Sequence, residues 1–207
     1  MPRQADHLAR RRQIAEAVWR LAGRGGLEDV TLRQVANEAG LSARLLQYYF
    51  GTRDELLLGA LEILNADAQQ RAHERITALG PAPSLREVVR GVLMELLPLD
   101  ADRRAQHLVH AAYFLRFLTD PSLREAIQNA APALEALVAG LITQAQQSGE
   151  ADAKVNASSE SDLLVAAAEG LQTQVLLGRR TGAEAVTLID HQLARIFMHE
   201  RAKSGHR

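Results

Sequence analysis

Cysteine is absent from this 207-residue chain, so no disulfide staples it, no thiolate serves as a nucleophile and no sulfur holds zinc. Aromatic residues are scarce at 4%, while Ala, Leu, Glu, Gln and Arg abound. That balance favours helices and leaves too few β-branched and aromatic residues for an extended sheet. Long apolar runs are missing as well. The stretches around Val109 to Leu118 and Leu163 to Ala168 are broken or bounded by His110, Arg116 and Glu169, short of the roughly 20 residues a membrane span needs. No apolar signal core follows Arg10 to Arg12, so the expected location is the cytoplasm. Neither a Ser-His-acid set nor a glycine loop with a phosphate-binding lysine occurs, and His107 and His110 lack a third metal ligand. No catalytic residue, cofactor or metal site is expected.

What is present is a 47% apolar content that supports a core, and a net charge of only -1 that argues against a general polyanion coat. Residues 1–55 carry 9 Arg against 7 acids, the rest 15 Lys plus Arg against 18. This asymmetry is weak but favours nucleic acid at the N-terminal end.

The helix signals are strong. Leu8, Ile14, Ala15, Val18, Leu21 and Ala22 recur at helical spacing until Gly23, Gly25 and Gly26, with Trp19 beside them as a packing aromatic. Thr31 with Gln34 makes a capping box for a helix to about Ala39, Gly40 turns the chain, and Ser42 caps Ala43 to Phe50. Thr52 with Glu55 opens a long helix through roughly Leu79. Beyond the Gly80-Pro81-Ala82-Pro83 break, Ser84 with Glu87 caps a helix that Pro98 ends, and Asp100 or Asp102 opens another through Leu118. Asp120-Pro121 predicts a further helix to about Ser148, with a kink or division at Pro132. Gly149 to Asp162 reads as a polar, flexible connection in which Ser158, Ser159 and Ser161 compete to cap a helix through Leu177. Thr181 with Glu184 caps the last helix, and Ala202 to Arg207 reads as frayed. The expectation is an all-α protein of about nine helices: a three-helix helix-turn-helix domain over 1–52, a connecting helix over 53–79, and a helical regulatory and dimerisation domain over 80–207.

A helix that enters the major groove must bury one face and show polar or short side chains on the other. Leu46 and Phe50, four apart, form the buried face, which leaves Ala43, Arg44, Gln47 and Tyr48 around the rest of the circumference. Arg44 suits a bidentate contact to guanine and Gln47 one to adenine, and Leu45 packs or meets a thymine methyl. Thr31 and Ser42 at helix N-termini, the phenols of Tyr48 and Tyr49, and Arg53 are candidates for phosphate, and Arg33 for a phosphate or a base.

These residues carry a resemblance to the TetR family of bacterial transcriptional regulators. Ile14, Ala17, Gly26, Thr31, Val35, Ala36, Ala39, Gly40, Leu41, Ser42, Leu46, Tyr48, Phe50, Arg53, Asp54 and Leu56 fit its N-terminal pattern over about 50 residues. The chain departs from it with Arg44 where a small residue is usual, Gln47 at the place of a phosphate-contacting Tyr, Tyr49 at that of His and Arg53 at that of Lys; the Tyr role then passes to Tyr48. From LLPLDADRR to about Phe197 the chain resembles the betaine-repressor-like subgroup. The resemblance implies a homodimer on a palindromic double-stranded DNA operator, most simply a repressor, released when an unidentified small molecule binds.

For the dimer interface, Leu163, Ala167, Leu171 and Val175 line one apolar stripe and Val186, Ile189, Leu193, Ile196 and Phe197 another; internal core is the alternative reading of both. Met94, His110, Tyr113, Phe114 and Phe117 are candidates for an effector pocket, and would equally fill a solid core. A small helical enzyme, or a protein-binding adaptor whose first helices are only structural, is the alternative function.

Overall fold

The computed structural model describes residues 2–28, 30–120 and 133–197, with backbone only for 2–5, 117 and 133. It is all-α. Among the described residues nine helices follow in order: α1 (Pro2–Gly25), α2 (Leu32–Ala39), α3 (Ala43–Phe50), α4 (Arg53–Ala78), α5 (Leu85–Glu95), α6 (Ala101–Thr119), α7 (Ala133–Ser148), α8 (Ala157–Leu176) and α9 (Gly182–Ile196). The helix start expected from Pro121, the Pro132 kink and the frayed tail lie outside the described residues. No described helix is long and apolar enough to cross a membrane.

Packing divides the chain into two units. Among the described residues one comprises those up to 70 together with 105–120, the other 71–104 and 133–197, so the chain passes between units inside α4 and inside α6. In the first unit Ile14, Val18, Val35, Leu46, Phe50 and Leu56 form a core that also takes in Val109 and Tyr113 of α6. Tyr113 is 1% exposed and its hydroxyl donates to the Leu57 carbonyl at 2.8 Å. Burial of that phenol pushes its pKa up. Trp19 packs against the same core and donates its indole N-H to the Ala60 carbonyl at 3.1 Å.

The core of the second unit is built from α5, α7, α8 and α9, with Val89, Leu93, Met94, Val138, Ile142, Leu164, Ile189 and Leu193 at its centre. On α5, Glu95 is almost fully buried and gathers three guanidiniums: Arg75 of α4 at 2.6 Å, Arg71 of α4 at 3.6 Å and Arg103 of α6 at 4.0 Å. Arg90 of α5 pairs side-on with Asp190 of α9 at 2.6 and 3.1 Å.

Most capping signals act as their spacing predicts. Thr31, Ser84 and Thr181 each accept the N3 backbone N-H while Gln34, Glu87 and Glu184 return the bond. Thr52 and Glu55 bond reciprocally at 2.7 and 3.2 Å. Gly40 ends α2 with φ 67, the left-handed conformation that glycine adopts without a Cβ penalty. The start of α8 differs from the sequence reading. Asn156, in extended conformation, accepts the Ser159 N-H at 2.9 Å, so the helix begins at Ala157 and the three serines lie inside it. Whichever residue has the extended backbone wins a contest between neighbouring caps, and here Ala151 pairs with Phe197 and Gln146 holds the carbonyls of Asp152 and Val155, which fixes the approach.

Candidate nucleic-acid interface

The helix-turn-helix is built from α2 and α3, and α1 and α4 hold it. The carbonyls at a helix C-terminus have no partner within the helix. Gln13 of α1 donates to the Ala39 carbonyl at the end of α2 at 2.8 Å, and Arg11 of α1 donates to the Tyr49 carbonyl near the end of α3 at 3.2 Å. Arg20 adds a pair to Glu38 at 2.7 Å, and that hydrogen bond is the main reason the Glu38 carboxyl sits below its usual pKa. The sequence reading missed Arg11 and Gln13. Their acceptors lie 38 and 26 residues away in the chain, and no local pattern marks a side chain that will reach a distant carbonyl.

On α3, Leu46 is fully buried and Phe50 nearly so. Ala43, Arg44 and Gln47 are exposed, Tyr48 is 75% exposed, and Leu45 stands at the border. Thr31, Arg33 and Ser42 are exposed too, so the structure places these candidates on the free surface of the first unit. The Thr31 and Ser42 hydroxyls already serve as caps, accepting from Gln34 and Leu45 at 3.2 Å each. What these helix starts offer an anion is therefore the set of first-turn N-H groups and the positive end of the helix dipole.

Two candidates stand differently. Tyr49 is half-buried, its ring 4.8 Å from that of His7 and 5.3 Å, edge-on, from that of Tyr48. Arg53 turns its guanidinium onto the loop before α2, donating to the Val30 and Leu27 carbonyls at 2.6 Å each. A guanidinium has five N-H donors in a fixed fork, and this one spends its best-placed ones on backbone that needs them.

The effector candidates do not form one group. Met94 belongs to the core of the second unit and Tyr113 to that of the first. Phe114 is 63% exposed, His110 stands 3.1 Å from the Asn65 carboxamide oxygen, and the Phe117 side chain lies outside the described residues. The interface stripes divide as well. Leu163 and Ala167 of α8 are exposed, whereas Leu171, Val175, Ile189, Leu193, Ile196 and Phe197 are buried in the protomer's own core and Val186 packs against it. The continuous apolar stripe of an amphipathic helix turns inward first, because that burial is available without a partner. The free face of α8 carries Leu163, Ala166, Ala167 and Gly170 instead, with Leu177 exposed just past its C-terminus and Leu188 exposed on α9.

Comparison with known proteins agrees with this architecture. Residues 14–60 match the family described as bacterial regulatory proteins, tetR family, and residues 84–198 match the C-terminal domain of BetI-type transcriptional repressors. The HTH-type transcriptional regulator PksA of Bacillus subtilis is 40% identical over 103 residues, 49% of this chain and 48% of that protein. The regulator BetI of Brucella suis is 38% identical over 89 residues, 38% of this chain and 45% of its own. The chain thus spans about half the length of the curated relatives it matches. A transcriptional regulator from Rhodococcus sp. Rha1 superposes with a TM-score of 0.75 at 25% identity, over 90% of this chain and 95% of its own. A regulator from Saccharomonospora viridis, solved in complex with choline, superposes with a TM-score of 0.76 at 24% identity, over 91% and 98%. These relatives are transcriptional regulators rather than enzymes, and with both matched segments in place the chain belongs to the TetR family of helix-turn-helix transcriptional regulators, with a BetI-type repressor C-terminal domain.

Proposed function

We propose that the protein acts in the cytoplasm as a homodimeric repressor that sets two α3 helices into successive major grooves of a palindromic operator, about 34 to 36 Å apart, and that a small molecule in its C-terminal domain releases it. The observation that carries this reading is the division of α3: Arg44, Gln47 and Tyr48 exposed, Leu46 and Phe50 buried. In this reading Arg44 and Gln47 take base edges, Ala43 and Leu45 approach thymine methyls, and Tyr48, Tyr49, Arg33 and the N-termini at Thr31 and Ser42 take phosphates. Arg53 contributes through the loop it holds rather than through a phosphate.

Pairing of protomers uses the free face of α8, where Ala166, Ala167 and Gly170 are small enough for two helices to approach closely, with apolar area from Leu163 and, just past the helix end, Leu177. The effector shifts occupancy only by its preference for one state, and a coupling of roughly 1 to 3 kcal/mol changes affinity about 5- to 150-fold. Choline is the first effector to test, since a protein of the same fold is solved with it.

The test is a mobility shift of the full chain on duplexes flanking its own gene, with and without choline. Specific binding that weakens steeply between about 50 and 200 mM salt is expected, and a protein without salt-dependent DNA affinity overturns the reading.

A further inference from the structure

We propose that Arg11, a residue of α1, is a positioning residue that sets how α3 meets the bases, and so determines operator specificity without touching DNA. The inference rests on the reading of α3 as the DNA-reading helix. Three observations converge on it. Arg11 donates through Nη1 to the Tyr49 carbonyl at 3.2 Å, a carbonyl in the last turn of α3 that the helix itself leaves without a donor. The same guanidinium lies over the Phe50 ring, 4.4 Å from its centroid, and Phe50 is the aromatic anchor by which α3 enters the core. Across from both stands Gly59 of α4, where a Cβ would sit 2.6 Å from Phe50 Cε1 and 3.1 Å from Arg11 Nη2. The C-terminal end of α3 is therefore held by a cation that bonds and stacks at once, and ring and guanidinium both fit against α4 at a position that carries no side chain.

The positive charge also lies where a helix end favours it. Lysine cannot replace it in full: a single ammonium has no planar face to lay on the ring while it bonds the carbonyl. Because the grip is at the end of α3, its loss swings the C-terminal residues Gln47 and Tyr48 further than Arg44, which sits in the first turn, two residues from the Ser42 cap. A loss of general stability would weaken every contact alike.

Full-length wild-type protein is used to enrich duplexes from a random-sequence pool, and Arg11→Met, Arg11→Lys and Gly59→Ala are then compared on the enriched duplex, on its single base-pair variants and on a scrambled duplex of equal length. The expected result for Arg11→Met and Gly59→Ala is an affinity for the enriched duplex reduced about tenfold, with preference relaxed at the same base pairs that Gln47→Ala relaxes. Affinity for the scrambled duplex and the salt slope stay at their wild-type values, and Arg11→Lys falls between. If Arg11→Met does not fold, the same comparison is read on Arg11→Lys. Uniform weakening of both duplexes, a salt slope reduced by about one, or an unchanged preference each overturns the proposal. A wild type that enriches no duplex overturns the reading of α3 together with this inference, whereas a selective wild type with indifferent variants overturns this inference alone.

Discussion

The two units dispose of their amphipathic helices in opposite ways. In the first, α3 gives Leu46 and Phe50 to the core and leaves an arginine, a glutamine and a tyrosine outside, with Leu45 at the border. In the second, α8 is apolar on both sides, with Leu164, Val165, Ala168 and Leu171 inward and Leu163, Ala166 and Ala167 outward. A polar face left outside on a rigid short helix suits base edges and phosphates, whereas small and apolar residues left outside suit another protein surface. The difference teaches that the surface each unit offers to a partner is what remains after the core has taken its share.

The sharpest way to break this comparison is to strike the core under each surface. Leu46→Ala and Ile189→Ala should each cost about 2 to 5 kcal/mol in denaturant unfolding, because both side chains are buried among well-packed neighbours. Were Ile189→Ala to dissociate a dimer at undiminished protomer stability, the assignment of α9's stripe to the core would fail. On the outward face, Ala167→Glu should change protomer stability by no more than about 0.5 kcal/mol yet yield monomers by sedimentation velocity and abolish tight operator binding. Unfolding in place of dissociation would move Ala167 from surface to core.

Within the first unit, Arg44→Ala should cost about 1 to 3 kcal/mol at one or two base pairs and little elsewhere, read by binding to an operator mutated position by position. Arg53→Ala should lower the unfolding free energy by about 1 kcal/mol, a loss Arg53→Lys does not fully restore, since a compact ammonium lacks the rigid fork whose separate Nε and Nη2 donors reach the Val30 and the Leu27 carbonyls. A salt slope lower by about one, recovered in the lysine variant, would instead put Arg53 on a phosphate.

The smallest effect concerns pH and has the same sign in both units. Bonds from Thr52, Ser84 and Thr181 hold the carboxyls of Glu55, Glu87 and Glu184 below their ordinary value of 4.5. Groups with a lowered folded pKa stabilise the protein above that value and lose the contribution as pH falls through the folded one. The melting temperature should therefore decline below about pH 4.5 and decline less steeply in Glu55→Gln, whereas a profile untouched by that substitution would remove the capping box from the account.

The sequence by itself determined the elements and the inward face of the recognition helix. Caps such as Thr31-Gln34 and Thr181-Glu184 act over three residues, and the Leu46 and Phe50 pair acts over one turn, so their physics is local and readable in the chain. Tertiary structure alone decided how surfaces were shared out. It gave Tyr113 and Met94 to two different cores, although their composition suited one pocket or one solid core equally, and it turned Ile189, Leu193 and Phe197 inward. It sent Arg53 to loop carbonyls and brought Arg11 to the end of α3, pairings across 23 to 38 residues. An apolar side chain or a guanidinium states only what kind of partner it needs. Which partner it obtains depends on the packing of elements distant in the chain, and no local pattern encodes that.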